Sequence, residues 1–156
     1  MANELNTLGV TLNYCVEATA GTMPKTGYTN LAGVKSIPDL DPQPTALDAT
    51  PLDETEWKRY VPGLKDVGGA LAFKFNNSDG FQTAWNAMKD AEEALTGGKK
   101  MWFSINIPGL AKSFYFAGKP DDLGLSAMEV DSVLEINGYI TPSLIAGWDT
   151  KATLAA

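Results

Sequence analysis

The side chains that most often carry chemistry are scarce in this chain and poorly spaced for it. Its 156 residues include no histidine, which removes the commonest general base and the commonest metal ligand together. Nucleophile–histidine pairs and mixed cysteine–histidine zinc sites are excluded on the same ground. Cys15 is the single cysteine; flanked by Tyr14 and Val16 it reads as a buried, inert thiol, and it can form no internal disulfide. Gly68-Gly69 and Gly97-Gly98 lack the lysine and hydroxyl residue that complete a phosphate loop. Asp39 and Asp41, framed by Pro38 and Pro42, lack the further acidic ligands and the glycine of a calcium loop. Asp121-Asp122 read as turn residues. A carboxylate pair of the kind that hydrolyses glycosides is the one catalytic arrangement left open. The acidic residues, however, fall on outer strand faces, where solvation accounts for them. The expectation is no enzyme, no cofactor and no metal.

Aromatic side chains are the other candidates. Trp57, Tyr60 and Trp102 read as surface or loop aromatics, with Lys58 and Arg59 beside the first two. Aromatics and arginine are the residues enriched where proteins meet. Singly, each is ordinary local packing; as a set they fit an interface, or the platform of a carbohydrate-binding module.

The elements that must position these residues centre on Pro62 to Leu95. Leu71, Phe73 and Phe75 alternate with Ala72, Lys74 and Asn76, the period of a half-buried strand. Ser78 or Asp79 then caps a helix over about 79–95. Its Phe81, Trp85, Met88 and Leu95 share one face, and Gly97-Gly98 stop it. A lone helix buries its apolar stripe on a sheet, and the rest of the chain supplies strands.

Val10 to Ala18 reads as a first strand, and Thr45 to Leu52 as another. Lys100 to Ile107 and Lys112 to Ala117 form a hairpin across Pro108-Gly109. Ala127 to Ile140 reads as a long alternating strand, with Met128, Val130, Leu134 and Ile136 against Glu129, Asp131, Val133 and Glu135. A short strand fits Val34 to Ile37. Residues 1–9 form an arm, 19–44 and 53–65 long loops, and 143–156 a small-residue tail held at most by Ile145 and Trp148. The prediction is one mainly β domain of six or seven strands, an antiparallel two-sheet sandwich or barrel with one flanking helix.

A chain with 12 basic and 19 acidic residues carries a net charge of −7 and no basic run, so it does not bind nucleic acid by neutralising phosphates. No apolar run is long enough to span a bilayer, and the first ten residues carry neither the basic segment nor the apolar core of an export signal.

The run IPDLDPQPTALDATPLDETEWKRYVPGLKDVGGALAFKFN, Ile37 to Asn76, resembles the major tail tube proteins of long-tailed, non-contractile bacteriophages. The resemblance is carried by a "T-x-L-D" phrase at Thr50 to Asp53, the aromatic Tyr60 and "P-G-L-K-D" at Pro62 to Asp66. A glycine and alternating strand follow at Gly68 to Phe75, then a helix opening with Phe81 and Trp85. It covers the middle of the chain and extends to the ends only in general character.

The resemblance implies a subunit that forms six-membered rings stacked into a hollow tube. Tape-measure and tail-end proteins would be its partners, and DNA would pass through without specific binding. The location would be the virion tail, assembled in the host cytoplasm, with no membrane partner. On that reading Trp57, Arg59, Tyr60 and Leu64 would touch neighbouring subunits. Asp48, Lys74, Glu129, Asp131 and Glu135 are candidates to face the lumen, where like charge repels DNA. The alternative from a different class is a monomeric carbohydrate-binding or adhesin-like sandwich using Trp57, Tyr60 and Trp102.

Overall fold

The structure, a computed structural model, describes residues 4–42, 44–66 and 68–155. Residues 1–3 of the expected arm and 156 of the expected tail lie outside these, as do positions 43 and 67 within the tail-tube resemblance.

The helix and the strand before it form as their patterns require. Strand β6 (Leu71–Asn76) buries Phe73 and Phe75 and exposes Ala72 and Lys74. Helix α1 (Asp79–Glu93) buries Phe81, Trp85 and Met88. Its N-cap is Ser78, whose hydroxyl accepts from Phe81 N at 3.1 Å. The helix ends at Ala94, before Gly97 and Gly98 turn the chain with positive φ. Ser78→Ala is expected to cost about 1 kcal/mol, because a first-turn N–H loses its acceptor. A urea midpoint unchanged by that substitution would remove the cap from the account.

Eight strands form one curled sheet in the order β10-β2-β1-β7-β8-β9-β6-β3. They are β1 (Thr11–Val16), β2 (Thr26–Asn30), β3 (Val34–Ser36), β6, β7 (Met101–Asn106), β8 (Lys112–Pro120), β9 (Glu135–Thr150) and β10 (Thr153–Leu154). All pairings are antiparallel except β10 with β2. The remaining pair, β4 (Ala46–Asp48) and β5 (Tyr60–Pro62), is a separate two-stranded hairpin. The expected mainly β fold with one flanking helix is therefore present, its layers made by one sheet bending over itself.

Strand β9 organises that bend. Its first part, Glu135 to Ile140, pairs with β6, and its second, Ile140 to Thr150, pairs with β8. Register slips between Tyr115/Phe116 and between Ala117/Gly118, and Gly147 takes a φ of 85° beside the first slip. Such bulges bend and twist the strand that carries them. Residues as far apart in strand order as Leu12 of β1 and Phe73 of β6 consequently share one core with α1.

Several expectations are corrected here. Trp102 is only 5 % exposed and is a core residue, not a surface aromatic. It belongs to a second cluster with Tyr28, Tyr115, Ala117 and Ala152, on the sheet face opposite the helix. Asn13, Glu17, Ser104 and Ser113, which alternation would place in solvent, are buried there too. Asn13 donates to Ser104 at 3.3 Å, and Ser113 accepts from Ala152 N at 3.1 Å. The cover comes from the chain's end, which is strand rather than loose tail: Thr153 N donates to Lys25 O and Ala155 N to Tyr28 O.

The supposed loop 19–44 contains β2 as well as β3, the short strand expected at Val34 to Ile37, and 53–65 contains β5. Residues 127–134, expected as strand, lie outside the sheet. Strand β8 ends at Pro120, and β6 gives way to α1 after Asn76, so beyond one bond from Asn77 N to Leu134 O (3.0 Å) neither offers a strand neighbour before Glu135. Asp131 sits there in a turn with φ 60°.

Candidate assembly surface

The β4–β5 hairpin is an arm. Pairing runs Ala46↔Pro62, Leu47↔Val61 and Asp48↔Tyr60, extended by Ala49 N to Arg59 O (2.8 Å) and Gly63 N to Thr45 O (2.7 Å). Its tip is tied by local polar bonds. Arg59 N donates to Thr50 Oγ1 at 2.8 Å, Thr50 N to Asp48 Oδ1 at 2.9 Å, and the Arg59 guanidinium to Glu54 at 2.9 Å. Thr55 N and Glu56 N both donate to Glu54 Oε1. These bonds hold the Asp48 carboxyl, chiefly through the Thr50 hydroxyl, and the Glu54 carboxyl, chiefly through Glu56 N, below their ordinary values.

What the arm lacks is packing. No described residue from 44 to 66 is buried. Leu52 is 106 % exposed, Leu64 92 %, Trp57 77 % and Tyr60 58 %, with Leu47 and Val61 exposed as well. A two-stranded hairpin is marginal in water unless its apolar side chains find cover, and clustered exposed apolar surface marks a place where something binds. The structure thus brings Trp57, Arg59, Tyr60 and Leu64 onto one projecting element. It separates Trp57 and Tyr60 from the buried Trp102, so the three do not form a platform.

A second feature lies at the arm's root. A groove of about 910 Å³ runs between the segment 34–42 and β9, with Pro42 and Lys65, which flank the arm, on its rim. Ile37, Leu40, Ile105, Phe114, Ile145 and Trp148 give it an apolar floor and walls. Along it the sheet is open: among the described residues, β9 beyond Ile140 pairs with β8 on one side and with no strand on the other. The chain that would continue β6 along that edge is turned away at Gly68 and Gly69, both at positive φ.

The lumen candidates divide into groups. Lys74 and Glu135 are cross-strand neighbours 3.7 Å apart, and Lys35 reaches the same carboxylate at 2.7 Å. Glu129 lines the hollow beside them, with Ser126, Val133 and Asn137. Asp131 is in its turn, and Asp48 is on the arm. The Lys35 bond, followed by both lysine charges, holds Glu135 below its ordinary value of 4.5. A depressed carboxyl contributes stability above that ordinary value and loses it as the pH falls through the lower folded value. Lys35→Ala is therefore expected to move the Glu135 titration upward, read by carbon-detected NMR; an unmoved titration would mean that the pairing does not persist in solution.

Elsewhere the ionisable groups are structural. Burial pushes the Tyr28 and Tyr115 hydroxyls up, and they donate to Pro24 O and Thr150 O respectively. Burial likewise raises the Cys15 thiol, which contacts Thr26 O. Asp39 accepts from Asp41 N at 3.0 Å, a turn within the groove rim.

The class defined by this geometry is a curled antiparallel sheet with one helix on its face and a projecting hairpin. The same fold occurs in a chain of the anti-feeding prophage baseplate, solved by cryo-electron microscopy with six-fold symmetry applied. The two superpose with a TM-score of 0.59 over 94 % of this chain and 97 % of that one, at 10 % sequence identity. No family model and no curated protein matches the sequence.

Proposed function

We propose that this protein is a structural component of a phage-type tail, a subunit that closes into six-membered rings and stacks into the tail tube, without catalysis. The observation that carries the reading is the arm, an ordered hairpin with all its large apolar side chains in solvent. Six-fold symmetry in the baseplate that holds the similar chain favours a ring. Exposed strand edges are an aggregation hazard in a monomer, and a closed ring pairs them. Trp57, Arg59, Tyr60 and Leu64 make the contacts between rings. Tape-measure and tail-end proteins are the partners, and DNA crosses the lumen without specific binding. The place of assembly is the host cytoplasm and the destination the virion tail.

The test is negative-stain microscopy and light scattering of the purified protein at rising concentration, with and without tail-end proteins. Hollow tubes or six-fold rings support the reading. A subunit that stays monomeric under every one of these conditions overturns it.

A further inference from the structure

We infer that the groove beside β9 is a receptor for the hairpin arm of a second copy of this chain. The arm's apolar side chains fill the groove, and one arm strand adds to the open edge of β9. This rests on the assembly reading above and names the surface that the arm meets.

Three observations converge on that occupant. The first is that donor and acceptor are both on this chain and both unfilled. The arm exposes Leu52, Trp57, Tyr60 and Leu64, while the groove presents Ile37, Leu40, Phe114, Ile145 and Trp148. A surface that is complementary to a different surface of the same molecule makes a head-to-tail contact, the kind that repeats through a ring or a stack.

The second observation concerns the backbone. Among the described residues the hairpin has two strands only, so β4 and β5 each keep one edge without a strand partner. Beyond Ile140, β9 pairs with no strand on the groove side among the described residues. Strand addition joins such edges through main-chain bonds while alternate side chains enter pockets beside them. Ile145 and Trp148 stand in the groove wall next to that edge, where an added strand would lay its apolar face.

The third is charge. Among the described residues, Asp53, Glu56 and Lys58 of the arm make no ion pair within the chain. The same holds for Lys65, Asp39 and Asp41 on the groove rim. Each surface therefore offers both signs for the other to pair.

The test is cross-linking in a Cys15→Ser background. One preparation carries Leu52→Cys on the arm and the other Ala146→Cys in the groove; both positions are exposed, so folding is not at stake. The two are mixed, treated with a short bismaleimide and scored by mass spectrometry, with microscopy on the same mixture. A linked arm–groove heterodimer that disappears when Trp57→Ala is added to the arm partner is the expected result. Rings or tubes with no arm–groove link overturn this inference and leave the assembly reading standing. A chain carrying both cysteines that links only to itself shows the arm folded into its own groove and overturns it as well. A mixture that neither links nor assembles at any concentration, with tail-end proteins present, overturns both.

Discussion

Replacing Trp85 by alanine is expected to lower the unfolding free energy by about 3–5 kcal/mol, the range for emptying a large aromatic site in a core. That is a large share of the roughly 5–15 kcal/mol that holds a domain together. Trp85 is fully buried at the centre of the helix–sheet contact. Its ring lies edge-on to Phe75 at 5.7 Å and 5.9 Å from Phe81, and its indole N–H donates to Asp121 O at 2.9 Å. Alanine leaves a cavity and an unpaired carbonyl together, and the two penalties add. Directly over the ring sits Gly138 of β9, where a Cβ would stand 2.6 Å from two indole carbons and 2.9 Å from the Phe75 ring. Gly138→Ala is thus an independent probe of the same contact from the sheet side. It should cost about 1–3 kcal/mol by overpacking, and in the Trp85→Ala background much of that cost should vanish, because the two closest clashing atoms are gone and the Phe75 ring, the third, gains the emptied space to move into. Urea unfolding of the four members of this cycle measures both statements. Additive losses would mean that the helix does not sit on Gly138.

The same contact shows why part of the fold was legible in the sequence. Phe81, Trp85 and Met88 repeat at helical spacing and Phe73 and Phe75 at strand spacing, so each element carries its buried face in its own period. Trp102 defeats that logic. Met101 to Ile105 is buried on both faces, and alternation assumes that one face is wet. The nearly continuous apolar run MWFSI, broken only by the small Ser104, was the available signal, since strands covered on both sides read that way. What covers the second face is Tyr28 and the end of the chain at Ala152, a pairing across more than a hundred residues that no local pattern encodes. The reverse happened at 127–134. The alternation is there, but a strand needs a neighbour's edge as well as a pattern, and β8 and β6 have both ended. For the arm, residue types singled out Trp57 and Tyr60 as interface candidates. That Trp57, Tyr60 and Leu64 stand on one unburied hairpin, with a groove and an open strand edge at its root, follows only from the tertiary structure.

Trp57 and Tyr60 set the largest expected effect on function. Replacing both by alanine is expected to leave the subunit folded, with a urea midpoint shifted by no more than about 0.5 kcal/mol of stability, because surface changes away from special features rarely do more. Neither side chain touches the core: Trp57 is 77 % exposed and Tyr60 58 %. Assembly should respond very differently. Buried interface aromatics often cost 2 kcal/mol or more each when truncated, and about 1.4 kcal/mol is tenfold in an equilibrium constant. The concentration at which rings or tubes appear should therefore rise by roughly 30-fold for either change and further for both, with the two contributions coupled because they share one hairpin. Arg59→Ala should do less, since its guanidinium is already committed to Glu54 within the arm. The discriminating comparison is light scattering against concentration for the two single aromatic variants, the double variant and Arg59→Ala alongside the parent. A parent that assembles and a Trp57/Tyr60 variant that assembles at the same concentration would mean that the arm's apolar face is not an interface, and the subunit contacts would have to be sought at the sheet edges instead. An unfolded double variant would equally break the argument, because it would show that the arm supports the fold from which it stands apart.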